Sequence, residues 1–107
     1  MSRPVPTLVI YKPKPGHEKE LQGLVVKHWP ILDRLGLATK EPAEVFRAVE
    51  LDRESRKDMP PVFIEIFSWK DEQSSGVAHQ TPEVMAMWEP MGEHMEDLQI
   101  IKLEALS

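Results

Sequence analysis

The apolar residues of this chain change period several times, and each change marks an element. Thr7-Leu8-Val9-Ile10-Tyr11 is rich in β-branched residues and is followed by Lys12-Pro13-Lys14-Pro15-Gly16, which predicts a strand with a Pro/Gly stop. From His17 to Leu35 the spacing becomes three and four. Leu21, Leu24, Val25, His28, Leu32 and Leu35 share one helical face, and Gly36 suits a C-terminal cap. Pro30 removes a helical N–H and disfavours α geometry at Trp29, so a kink or break is expected there. Ala43 to Leu51 and Val62 to Trp69 predict two strands, joined as a hairpin across the charged, solvated segment 52–61. Asp71 to Gln80 predicts a short helix. Thr81-Pro82-Glu83 then starts another, with Thr81 as capping acceptor, Pro82 in the first turn and Glu83 on the positive end of the dipole. This helix runs to about Met95 with a kink at Pro90, and Val84, Trp88, Met91 and Met95 step along one face. Leu98 to Ala105 predicts the last strand.

The order β-α-β-β-α-β is that of an α+β, ferredoxin-like protomer. Right-handed crossovers place both helical segments on one face of a four-stranded sheet. The other face is apolar as well: Val62, Ile64 and Ile66 oppose Phe63, Phe67 and Trp69, and Leu98 and Ile100 oppose Ile101 and Leu103. A bare apolar sheet face needs a cover, and a two-fold homodimer packing sheet on sheet supplies one. The 107 residues suffice for a single domain, 1–107, and are too few for two.

Composition narrows the function classes. Thirteen Lys and Arg against 18 Asp and Glu give a net charge of -5, which argues against general nucleic-acid or anionic-membrane binding. The longest apolar run, Val84-Met85-Ala86-Met87-Trp88, is far too short to span a bilayer. With no Cys there is no disulfide, thiolate nucleophile or iron–sulfur ligation. Met1-Ser2-Arg3-Pro4 lacks the apolar core of a secretion signal, so a cytoplasmic site is expected. The four His (17, 28, 79 and 94) have no compact metal-ligand spacing, and no metal site is expected. No Gly-rich phosphate loop or G-x-S-x-G nucleophile motif occurs, and Glu93-His94 with Glu96-Asp97 reads as a solvated face.

Candidate chemistry gathers around the aromatic residues. Trp69, His79 and Trp88, with Phe67 and the methionines, can line an apolar pocket between sheet and helices that suits a small flat aromatic molecule. The competing reading makes Trp88 and the Met stripe plain core. Glu65 shares the parity of Phe63, Phe67 and Trp69 inside an apolar strand. It is either a general base in the pocket, or a structural carboxylate paired with Arg47 or turned to the dimer face. His28 lies on the apolar stripe beside Trp29; it either reaches the pocket or bonds a backbone carbonyl. Tyr11, the only Tyr, either presents its phenol to the pocket or packs at an edge. A haem in this pocket would take its axial ligand from His79 or His28.

Three stretches resemble a known family: Phe67-Ser68-Trp69-Lys70-Asp71-Glu72, Ala78-His79-Gln80-Thr81-Pro82-Glu83-Val84, and Met87-Trp88. They are similar to the third strand and second helix of the antibiotic biosynthesis monooxygenase-like proteins. The resemblance implies a dimeric α/β barrel of ferredoxin-like protomers. It also implies oxidation of a small phenol- or quinol-type substrate by dioxygen with no cofactor. In that picture His79 or Glu65 abstracts the phenolic proton, and Trp69 and Trp88 stack on the ring, with Phe67, Tyr11 and His28 completing the substrate site. Catalytic members carry an amide four residues before the strand-three Trp; here that position is Glu65, which cannot donate a hydrogen bond when ionised. Haem-degrading relatives carry an Asn on the first strand; Thr7 to Tyr11 has none, so haem degradation does not transfer. The alternative function is a non-catalytic dimer module, either binding a small molecule or purely structural.

Overall fold

The computed structural model describes residues 3–106; Met1 and Ser2, half of the segment read above for a secretion signal, and Ser107 lie outside them. Eight elements follow in the order β1 (Val5–Pro13), α1 (Glu18–Val25), α2 (His28–Arg34), β2 (Glu44–Ala48), β3 (Val62–Trp69), α3 (Ser74–His79), α4 (Pro82–Glu93) and β4 (Met95–Lys102). The four strands form one antiparallel sheet in the order β2-β3-β1-β4, with β1 and β3 at its centre. This is the α+β, ferredoxin-like arrangement expected from the sequence.

Period-two alternation settles which side chains meet the helices. Thr7, Val9 and Tyr11 of β1 and Phe63, Glu65, Phe67 and Trp69 of β3 are buried, while their neighbours Leu8, Ile10, Ile64 and Ile66 are half-exposed on the other side. Leu21 and Val25 of α1, Leu32 of α2, and Val84, Met87 and Met91 of α4 close the core from above. Met87 takes the core position expected of Trp88; the indole, one residue further round the helix, is only half-buried.

The first helical segment breaks before Pro30 and not at it. The N–H that Pro30 lacks would have bonded the carbonyl of Val26, and the chain divides at Val26–Lys27, which places Pro30 in the first turn of α2 where no donor is needed. His28 thereby opens α2. Gly36, at φ +73°, closes it: its N–H reaches the carbonyl of Asp33 and that of Leu37 reaches Leu32, the paired bonds of a Schellman cap. Pro90 is carried within an unbroken α4.

Two strands end earlier than their composition suggests because proline cannot feed a ladder. After Ala48↔Val62 the next partners of β2 would be Pro61 and Pro60, so β2 stops at Ala48 and only a single bridge, Leu51↔Asp58, follows. The β1–β4 pairing runs from Pro13↔Met95 to Thr7↔Lys102, and next to it Pro6 offers only its carbonyl, to Leu103 N–H. Thr81 does not cap α4 with its side chain; its hydroxyl donates back to the carbonyl of Val77 at 2.7 Å. His94, expected on a solvated face, is half-buried against His17, the two Nδ1 atoms 2.9 Å apart, which ties the β1–α1 turn to the end of α4. Among the described residues no helix is long and apolar enough to cross a membrane.

Candidate functional site

A cavity of about 250 Å³ lies between the sheet and α2, α3 and α4. Tyr11, His28, Phe67, Trp69, His79 and Trp88 all reach its wall. These are six of the seven side chains singled out from the sequence. The seventh, Glu65, does not line it: the carboxylate is fully buried behind Tyr11 and His28.

Strand parity explains this layering. Val9 is opposite Glu65 in the β1–β3 ladder, and Tyr11, two residues on, stands diagonally across from it on the same face. The Tyr11 hydroxyl donates to Glu65 Oε1 at 2.6 Å. From the helical side, His28 Nδ1 lies 2.9 Å from Oε1 and 3.0 Å from Oε2. On its far edge His28 Nε2 receives the indole N–H of Trp88 at 2.9 Å. A string Tyr11–Glu65–His28–Trp88 thus joins β1, β3, α2 and α4. It is fully satisfied: among the described residues no buried side-chain nitrogen or oxygen lacks a partner.

Glu65 therefore pairs neither with Arg47 nor across the open sheet face. Val45 is the residue opposite Glu65, while Arg47 is opposite Phe63 on the edge strand and is exposed. Likewise His28 bonds a carboxylate and not a backbone carbonyl. Burial, followed by the adjacent Glu65 charge and the hydrogen bond to it, pushes the Tyr11 phenol well above its ordinary pKa.

Aromatic rings form an arc along the wall. His79 meets Trp88 edge-on at 4.9 Å, Trp88 is 6.2 Å from His28, His28 meets Phe67 edge-on at 5.6 Å, and Phe67 meets Trp69 at 5.1 Å. Trp69 is fixed by a second contact: the chain after α2 forms an isolated bridge, Ala38↔Trp69, with Thr39 and Lys70 N–H groups bonding across it. The exposed His79 stands at the rim on α3. The Asp71 carboxylate opens that helix by accepting the N–H groups of Gln73 and Ser74 and the Ser74 hydroxyl, and the Ser74 bond chiefly holds its pKa below the usual value.

Five further residues line it without having been singled out from the sequence: Thr7, Val9, Ser75, Leu98 and Ile100. Ser75 lies four residues before His79 on one helical turn, and Thr7 shares the parity of Val9 and Tyr11, so both had a spacing signal. As for bound groups, no three His, Asp or Glu side chains converge as a metal site among the described residues. Both ring nitrogens of His28 are engaged, so of the two imidazoles considered as axial haem ligands only His79 is uncommitted in the described hydrogen bonds.

No protein-family model and no curated protein sequence matches the chain. Solved structures do match it. A variant of SnoaB, a cofactor-independent oxygenase from Streptomyces nogalater, superposes with a TM-score of 0.70 at 10% identity, covering 97% of this chain and 94% of that one. A Bacteroides thetaiotaomicron protein assigned as an antibiotic biosynthesis monooxygenase gives 0.67 at 15% identity, with 98% and 91% covered. The chain has the antibiotic biosynthesis monooxygenase-like fold. A dimeric ferredoxin-like protein of unknown function from Jannaschia sp. CCS1 shares that fold, with a TM-score of 0.64 at 13% identity and 96% and 100% covered. At these identities the likeness to the antibiotic biosynthesis monooxygenases is one of fold, and the chemistry rests on this chain's own side chains.

Proposed function

We propose that the protein is a monooxygenase of small hydroxyarenes, of phenol or quinol type, that works as a homodimer and without a bound cofactor. The observation that carries this reading is an apolar, ring-lined cavity with titratable groups, Tyr11 and His28, on its wall and a buried carboxylate directly behind them. An electron-rich arene fits such a wall by stacking on Trp69, Trp88 and Phe67. One of the two cavity imidazoles, His79 or His28, takes the phenolic proton. Glu65 acts behind the wall, holding Tyr11 and His28 in place. The arenolate then supplies electrons to dioxygen. With 1-naphthol, one oxygen atom enters the ring carbon para to the hydroxyl, the other leaves as water, and the product is 1,4-naphthoquinone. The balance is one naphthol and one dioxygen to one quinone and one water. SnoaB, which shares the fold, is described as a cofactor-independent oxygenase.

The homodimer is supported by the uncovered side of the sheet, where Leu8, Ile10, Phe46, Ile64, Ile66 and Ile101 lie together. A relative of the same fold is described as dimeric. The test of the reaction is oxygen uptake by the purified protein with 1-naphthol and simple hydroquinones. Protein-dependent uptake supports the proposal when 1-naphthol gives one 1,4-naphthoquinone and one water per dioxygen, and when a hydroquinone gives the hydroxylated quinone without hydrogen peroxide. Binding of these arenes with no uptake above the blank would leave a small-molecule-binding module in its place.

A further inference from the structure

The donors and acceptors of the Tyr11–Glu65–His28–Trp88 string fix one tautomer. An indole N–H can only donate. The 2.9 Å contact from Trp88 Nε1 therefore makes His28 Nε2 an acceptor. Nδ1 then carries the ring proton and donates it to the Glu65 carboxylate at 2.9 and 3.0 Å. A carboxylate against Nδ1 leaves the Nε2 lone pair pointing away from it, toward Trp88. Both of these rings line the cavity, so the bond between them lies at its wall.

The two partners in that bond are held very differently. His28 is 4% exposed, anchored by the fully buried Glu65, and packed edge-on against Phe67. Trp88 is half-buried, and its ring leans on His79, which is itself exposed. If the contact opens, the indole is the partner with room to move.

We propose that Trp88 is a displaceable cap on His28 Nε2, and that this nitrogen receives the hydroxyl of a hydroxyarene bound in the cavity. The proposal rests on the reading of the cavity as a hydroxyarene site and adds the atom that recognises the hydroxyl. Binding exchanges an N–H···N bond for an O–H···N bond, so an arene with a hydroxyl opens the cap and its methyl ether does not. When the proton transfers, the O–H bond breaks, an Nε2–H bond forms, and the electron pair stays on the arene oxygen. The resulting imidazolium faces the Glu65 carboxylate, which stabilises it as a positioning residue. Tyr11 keeps its own proton on Glu65 throughout.

The test is proton–nitrogen NMR of the full chain titrated with 1-naphthol and, separately, with 1-methoxynaphthalene. Trp88→Phe assigns the indole signal among the three tryptophans. The naphthol is expected to move the His28 ring-nitrogen signals and to open the Trp88 indole N–H to solvent exchange; the ether, stacked on the same ring, is expected to leave that N–H protected and the His28 nitrogens in place. Trp88→Phe keeps a ring on the wall but cannot cap; it is expected to raise the preference for naphthol over the ether roughly fivefold, the worth of one neutral hydrogen bond. Naphthol binding with the indole N–H still protected or the His28 nitrogens unmoved, the same changes with the ether, or binding of neither ligand overturns the proposal. The readout is independent of turnover. A protein that passes this test and consumes no oxygen contradicts the oxidation and leaves the cap, whereas oxygen uptake with the Trp88 N–H still protected contradicts the cap alone.

Discussion

Tyr11 and Glu65, 54 positions apart in the chain, are joined by a 2.6 Å hydrogen bond in which the phenol donates to the carboxylate. Burial and the neighbouring charge both oppose formation of a tyrosinate, so the folded-state pKa lies above the ordinary 10.0. The sign of the linkage follows. Above pH 10 the unfolded chain releases this proton and the folded one keeps it, so the stabilisation is complete below about pH 10 and declines as the pH rises further. Because Tyr11 is the only tyrosine, ultraviolet absorbance reports on it alone. We expect no tyrosinate signal while the fold persists, and its appearance together with alkaline unfolding. A normal titration near pH 10 in the folded protein would show that the contact is not made.

Glu65 is the acceptor for two buried donors and is itself completely buried. Glu65→Ala strands both donors and opens a void, and should lower the unfolding free energy by about 3–5 kcal/mol. Glu65→Gln keeps one acceptor oxygen and should cost less, about 1–3 kcal/mol. Urea denaturation of the two variants measures both values. A loss below about 1 kcal/mol for Glu65→Ala would mean that the string contributes little to the fold.

The two cavity imidazoles are separable by kinetics. His28→Asn removes the proton acceptor and should lower turnover by about 100-fold or more. His79→Ala removes a rim residue that supports Trp88, and should lower turnover by about tenfold or less while leaving the subunit association intact. A His79→Ala loss as large as that of His28→Asn would transfer the role of base to His79.

The open sheet face makes its own prediction. Phe46 is about half exposed on the edge strand, on the side away from the helices and beside Ile64. Phe46→Asp places a charge where a second protomer would pack, and desolvating that charge outweighs the contact it replaces. Sedimentation should show the wild-type chain at twice its 12.3 kDa mass and the variant at that mass. A monomeric wild-type protein would remove the homodimer from the account.

Much of this architecture is written in local pattern. The period-two alternation of β3 places Phe63, Glu65, Phe67 and Trp69 on one face, and the structure has them there. The pairing of Glu65 was not local. Its partners lie 37 and 54 residues away, and no spacing rule connects a strand carboxylate to a helix opened by His28. The signal that existed was three polar residues, Tyr11, His28 and Glu65, at buried positions on three different elements, each in need of a partner. Arg47 is not the partner because the β2–β3 register sets Val45 opposite Glu65 and Arg47 opposite Phe63, on an exposed edge strand. The helix break falls at Val26–Lys27, ahead of Pro30, for a separate reason. A proline excludes a bond to the residue four before it, so the disruption falls upstream of the ring.

The most direct measurement is the fate of labelled dioxygen in a turnover of 1-naphthol under ¹⁸O₂. The account predicts one heavy oxygen atom in the naphthoquinone and one in water, in the wild-type protein and at a much reduced rate in His28→Asn. Quinone without label, accompanied by hydrogen peroxide, would contradict oxygen insertion, and no product at all would contradict catalysis at this site.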